Sequence, residues 1–122
     1  MNQLSKILIS IFILFININC QDGTYNLMID VYNNTTKLIY IVEKERSFDE
    51  NTSKVDPGVF IRVHGLLGSR YKHAKPSTRF EYIIVQDSDR EEILNLQGGL
   101  LDNALVYDDE GDTYIRYRLD VN

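Results

Sequence analysis

From Tyr25 onward the chain alternates water-averse and polar positions with a period of two, the pattern of half-buried β-strands. In "YNLMIDVY", Leu27, Ile29 and Val31 share one face while Asn26, Asp30 and Tyr32 take the other. "NNTT" supplies turn chemistry, because asparagine tolerates left-handed backbone and bonds its own chain, and "KLIYIVEK" follows as a second strand. The two read as a hairpin. The charged run Glu45 to Asp56 reads as a loop that Pro57-Gly58 closes, ahead of a third strand "VFIRV" with Val59, Ile61 and Val63 on one face.

Beyond a Gly-containing basic loop comes "RFEYIIVQ", in which Phe80, Tyr82 and Ile84 alternate with Glu81, Ile83 and Val85. Mixed polarity on the second face predicts a central strand. Asp87-Ser88-Asp89 turns the chain into "EEILNLQ", another hairpin, and Gly98-Gly99 ends it. The last section predicts a short strand around Ala104 to Tyr107, an acidic turn, and a final strand with Ile115, Tyr117, Leu119 and Val121 on one face against Arg116, Arg118 and Asp120. "GGLLDNAL" is equally compatible with one helical turn. About seven short strands without a long helix predict an all-β fold, a β-sandwich or alternatively a small β-barrel.

The N-terminal segment "MNQLSKILISIFILFININC" departs from this pattern. Lys6 precedes unbroken apolar or small residues from Ile7 to Ile16, the form of an export signal over residues 1–19. That run is too short to cross a bilayer, which takes about twenty helical residues. Cys20, the only cysteine of the chain, stands at its exit, so no internal disulfide forms.

In this placement the segment resembles a bacterial lipoprotein signal, with Asn17, Ile18 and Asn19 where that family usually has Leu, Ala or Ser, and Gly or Ala. The resemblance implies an acylated Cys20 as the new N-terminus and residues 20–24 as a polar tether. The domain over 25–122 would then be held on the membrane in the cell envelope, at the outer membrane or periplasmic face. One acyl chain anchors marginally and two or more hold stably. The order hairpin, single strand, hairpin, hairpin is similar to immunoglobulin-like sandwich domains appended to such signals, without their cysteine pair and tryptophan. The alternative is an ordinary signal-peptidase cut after Cys20, which makes a secreted, unanchored protein-binding or inhibitory module. Asn33-Asn34-Thr35, Asn34-Thr35-Thr36 and Asn51-Thr52-Ser53 would then be glycan acceptors.

Charge narrows the partners. The 122-residue chain carries 13 basic and 18 acidic residues, net −5. Removing residues 1–19 takes away Lys6 and no acid, leaving 122 − 19 = 103 residues and 13 − 1 − 18 = −6. A chain this size buries roughly 60–68 % of its unfolded surface, one core and one domain. Its acidity repels nucleic-acid phosphates, which excludes nucleic acid as a general partner.

Candidate chemistry gathers around "VFIRVHGLLGSRYKH". Val63 to Ser69 resembles the oxyanion-loop segment of α/β-hydrolases, but no Gly-x-Ser-x-Gly elbow exists and the alternating strand–helix pattern of that fold is missing. Gly65 and Gly68 then read as relief of strain where the chain leaves a strand, with Leu66 and Leu67 covering a sandwich end and His64 a strand-end histidine. His64, Arg70, Lys72, His73 and Lys75 form a basic cluster suited to a carboxylate, sulfate or phosphate group, or to an acidic protein partner.

Asp87-Ser88-Asp89-Arg90-Glu91 lacks the glycine and closing glutamate of a calcium loop, and Asp108, Asp109, Glu110 and Asp112 are a weak calcium candidate. Two histidines nine residues apart without a nearby cysteine make no zinc site. No paired carboxylates stand at a catalytic spacing, and no cofactor motif occurs. The expected function is a non-enzymatic binding or structural module facing a protein or small ligand, with the membrane as second partner through Cys20.

Overall fold

A computed structural model describes residues 25–68 and 74–122. Among these residues eight strands form two open four-stranded sheets, a β-sandwich and not a closed barrel. In chain order these are β1 (Tyr25–Asn33), β2 (Ile39–Glu45), β3 (Asn51–Val55) and β4 (Phe60–Leu67), then the short helix α1 (Pro76–Arg79). β5 (Phe80–Gln86), β6 (Glu92–Leu96), helix α2 (Gly98–Ala104), β7 (Val106–Glu110) and β8 (Tyr114–Val121) complete it. The first sheet runs β4-β1-β8-β7 and the second β3-β2-β5-β6.

Alternation decides which side chains meet between the sheets. Leu27, Ile29 and Val31 of β1 and Ile115, Leu119 and Val121 of β8 face Ile39, Ile41, Ile83 and Val85 of the second sheet. Phe80 and Leu101 are fully buried with them, so α2 closes the core with Leu101. Val42 is also buried, but it points out of the second sheet and lies apart from the core.

Several connections differ from the sequence expectation. β1 and β2 are not a hairpin, since each lies in a different sheet. Alternation alone is the same for a strand that turns back beside its neighbour and one that crosses over the core. The crossover is held by Asn33, fully buried, whose Nδ2 donates to the carbonyls of Lys37 (2.8 Å) and Val55 (2.9 Å) while its Oδ1 accepts from Thr35. β1 pairs antiparallel with β4 and parallel with β8, bringing the first and last strands together.

β3 occupies the stretch read as loop and pairs with β2. Only Val55 of its five residues is buried, so this edge strand has no apolar alternation to reveal it. The β5–β6 and β7–β8 hairpins agree with expectation. In β5 the register slips beside Glu81, since Lys44 opposes Tyr82 and Glu45 opposes Phe80. The extra residue turns Phe80, Ile83 and Val85 all inward.

Periodicity ends the third strand at Val63, whereas β4 continues to Leu67. Gly65 therefore lies inside a strand and relieves no turn strain. Its role is close approach, because a Cβ there would sit 2.9 Å from Arg79 Cγ and 3.0 Å from the Phe80 ring. Val59 is exposed, Leu67 buried and Leu66 exposed. The strand expected around Ala104 to Tyr107 also moves: Ala104 ends α2, and β7 runs on through Asp108 to Glu110.

Candidate interaction face

The solvent side of the β4-β1-β8-β7 sheet holds the most organised set of polar and aromatic side chains among the described residues. Register fixes its rows across the three inner and edge strands. Phe60, Tyr32 and Asp120 form one row, and Arg62, Asp30 and Arg118 the next. His64, Met28 and Arg116 follow, then Leu66, Asn26 and Tyr114.

Asp30 is the pivot. It sits between two core residues of β1, and its side chain is only 3 % exposed although it points away from the core. A buried carboxylate demands a paired, hydrogen-bonded cation. Arg62 supplies both: Nε lies 2.7 Å from Asp30 Oδ1 and the terminal nitrogen 3.0 Å from Oδ2, a bidentate fork. Arg116 lies 4.0 Å from the same carboxylate and is held from the other side by Asp108 at 3.0 Å and Asp109 at 3.4 Å.

Arg118 is paired with Asp120 at 2.9 Å and lies over the Tyr32 ring, 3.8 Å from its centroid. Tyr32 in turn stacks on Phe60 with ring centroids 4.8 Å apart. Hydrogen bonding to Asp30 raises Arg62 above the ordinary arginine value; Asp108 does the same for Arg116, and Asp120 for Arg118. In return Arg118 holds Asp120 below the usual carboxylate range, and the Tyr114 hydroxyl lowers Asp109.

Three guanidinium groups are thus matched by four carboxylates. What the face offers outward is shape and apolar area. Phe60 is 47 % exposed and Leu66 54 %, with Met28 and Tyr32 half-buried between the arginines. Arginine, tyrosine, phenylalanine and methionine are the residues enriched in protein interfaces.

The residues chosen from sequence fall in different places. His64 is on this face, exposed on β4. Lys75 is exposed at the N-cap of α1, outside the sheet. Arg70, Lys72 and His73 lie outside the described residues, as do residues 1–19, Cys20 and the 20–24 tether. The acidic candidates Asp108, Asp109 and Glu110 lie on β7, with Asp112 in the turn after it. Asp108 and Asp109 are turned to Arg116, Asp109 also accepts from Tyr114 (2.7 Å), and Glu110 accepts from Tyr107 (3.4 Å). Among the described residues no group of three or more His, Cys, Asp or Glu is arranged to hold a metal ion.

Asp30, Arg62, Arg116 and Arg118 were not among the site residues chosen from the sequence, although a signal existed. A single aspartate between Ile29 and Val31, and two arginines alternating with core residues in "YIRYRLDV", are charges on strands whose other face is buried. Such charges need partners on neighbouring strands, and only the pairing reveals which strands are neighbours.

A second polar group lies at the Leu67 end of the sandwich. Arg79 pairs with Glu45 at 3.2 Å, and Ser77 bonds Asp102 through both its N–H (2.9 Å) and its hydroxyl (2.6 Å), joining α1 to α2. Leu66, Leu67, Gly68, Thr78 and Arg79 line a cleft of about 210 Å³ there. Comparison with known proteins finds no matching family model, no matching curated protein and no matching solved structure.

Proposed function

We propose that this chain is an exported, non-enzymatic binding module, tethered through an acylated Cys20, whose immunoglobulin-like sandwich presents the β4-β1-β8-β7 face to a protein partner. The observation that supports the reading is the buried Asp30–Arg62 fork with Arg116, Arg118 and the Tyr32–Phe60 stack arranged around it. Side chains immobilised before binding lose little freedom on association, so such a face binds at low entropic cost. The charges on the face are spent on one another, which leaves aromatic and aliphatic area as the contact and makes a protein surface the partner that fits.

Tethering and face are geometrically compatible. The tether enters β1 at Tyr25, beside Leu67, while the Tyr32–Phe60 stack lies seven residues further along, about 23 Å at the usual strand rise. A domain held at Tyr25 would carry the stack at its far end, away from the membrane. A secreted, unanchored form of the same module is the alternative. Its glycan acceptors reduce to Asn34 and Asn51, both exposed, because Asn33 is fully buried and its amide nitrogen is committed to two carbonyls.

The test is capture of partners from surface extracts by immobilised protein, with Phe60→Ala and Leu66→Ala set against Lys54→Ala on the other sheet. Loss of a specific captured protein with the first two and retention with the third is the expected outcome. Capture unchanged by both face variants overturns the assignment of the face. Mass spectrometry of the membrane fraction checks the anchor, where an unmodified Cys20 excludes acylation.

A further inference from the structure

We infer that the Tyr25 end of the sandwich is a lipid-contact surface, seated on the phospholipid bilayer that holds the tether. The inference rests on the proposed anchor at Cys20 and deepens it by fixing how the domain stands. Several elements reach this end together. Tyr25 opposes Leu67, a Cβ at Gly65 would touch Arg79 and Phe80, and Phe80 opposes Glu45. The residues after Glu45, helix α1 and the start of α2 therefore lie here. Ser77 of α1 is bonded to Asp102 of α2, and Arg46 shares a cleft with Gln97 and Gly98.

Where this end protrudes it is apolar. Leu100 of α2 is 67 % exposed, more than any other large apolar side chain among the described residues, and Phe48 is 58 % exposed. Leu66 stands at the border with the binding face. Cations accompany them. The Arg79 guanidinium lies 5.3 Å from the Phe48 ring centroid, Arg46 donates to the carbonyls of Thr78 (3.2 Å) and Ser77 (3.1 Å), and Lys75 is exposed just before α1. Glu45 is engaged by Arg79, Asp102 by Ser77, Glu50 by Tyr82 and Glu81 by Lys44, while Asp49 is exposed beside Phe48. Both signs at one end suit a zwitterionic headgroup layer, whose phosphates accept from Arg46 and Lys75. The acidic β7–β8 turn stands at the opposite edge of the first sheet from β4.

The chain before Tyr25 argues for lipid as the occupant. Gln21 to Thr24 are the only residues between Cys20 and Tyr25, and an extended chain spans at most about 3.6 Å per residue, so the two are no more than about 18 Å apart. A lipid-held Cys20 keeps this end, with Phe48 and Leu100, close to the headgroups. One acyl chain anchors only marginally, so apolar side chains entering the interface add to the hold. The long stems of Arg46 and Lys75 lie along apolar surface with their charge among the headgroups. The Tyr32–Phe60 stack at the other end is left in water for a protein partner.

The chain has no tryptophan, so a single introduced one reports its own surroundings. The full chain, purified in detergent, is reconstituted in phosphatidylcholine vesicles with or without brominated acyl chains, as Phe48→Trp, Leu100→Trp or Val59→Trp. Val59 is exposed at the far end, bonded to Asn33, and controls for the preference of tryptophan itself for the interface. Pelleting with the vesicles and the mass of the Cys20 peptide read the anchor, and quenching reads the contact. Emission of Phe48→Trp and Leu100→Trp should shift to the blue and be mostly lost over brominated lipid, with Val59→Trp unchanged. Both tether-end sites are exposed, so the variants fold, which melting checks; Leu66→Trp replaces either that does not. An unmodified Cys20 in protein that stays in the supernatant overturns the anchor and the contact with it. Protein that pellets while Phe48→Trp and Leu100→Trp keep their emission overturns the contact alone. A blue shift without quenching does the same, because the chain's own apolar run over residues 7–16 or another protein surface then covers this end. Equal quenching of Val59→Trp overturns the upright contact, since the domain then lies flat.

Discussion

Asp30 and Arg62 contribute unequally, because one is buried and the other reaches water. Removing Arg62 leaves a nearly inaccessible carboxylate with only Arg116 at 4.0 Å, whereas removing Asp30 leaves a guanidinium that is 37 % exposed and rehydrates. Arg62→Ala should therefore cost about 3 kcal/mol, and Asp30→Ala about half of that, in urea denaturation. Equal losses would mean that Asp30 is not the pivot. Glu43 follows the opposite logic. Its Oε2 is buried with no partner among the described residues, while Oε1 accepts from Asn51 at 3.2 Å. Burial raises its carboxyl above the ordinary value, the Asn51 bond opposes, and Glu45 adds to the rise. With the folded value above the unfolded one, the stabilisation is complete below the unfolded value and is lost as pH rises through the folded one. Ionised Glu43 is thus a burden at neutral pH. Glu43→Gln should raise the melting temperature at pH 7, and the gain should vanish below about pH 4.3, the unfolded glutamate value.

At the scale of elements, the packing of β4 against α1 and β5 turns on Gly65. A methyl group there meets Arg79 Cγ and the fully buried Phe80 ring at once. Gly65→Ala should cost about 1–3 kcal/mol by overpacking, measured by thermal melting. A neutral result would show that the strand shifts freely. The same residue illustrates what a linear reading resolves. Glycine inside "VHGLLGS" suggested an exit from a strand, since the side chains it must clear lie fourteen and fifteen positions further on. Strands with one buried face, β1, β2, β5 and β8, were legible because burial on one side writes a period of two. β3 was not, because both its faces are solvated, and neither was the bulge in β5, which breaks the period without changing composition. For the face, single charges at alternating positions were visible in β1 and β8, while their pairing depends on β1 lying between β4 and β8.

That arrangement sets the behaviour of the whole molecule. β1 enters the sheet first and β8 last, yet they lie side by side in parallel from Asn26 against Tyr114 to Asn33 against Val121. The first sheet is therefore incomplete until the final residues are available, and its central pairing spans nearly the whole domain. Closing so long a loop before any contact rewards it slows folding, and sheet-rich domains of this kind fold in roughly milliseconds to seconds. β8 also brings Ile115, Leu119 and Val121 to the core and Arg116 and Arg118 to the face. Ending the chain at Gly111 removes all five together and exposes the open side of β1. Such a chain should show no cooperative unfolding transition by circular dichroism or fluorescence, and supplying a peptide of residues 112–122 should restore one in proportion to its concentration. A truncated chain that still melts cooperatively would mean that β4, β1 and the second sheet are sufficient. The face would then be an addition to an independent core, and not part of what joins β1 to β8.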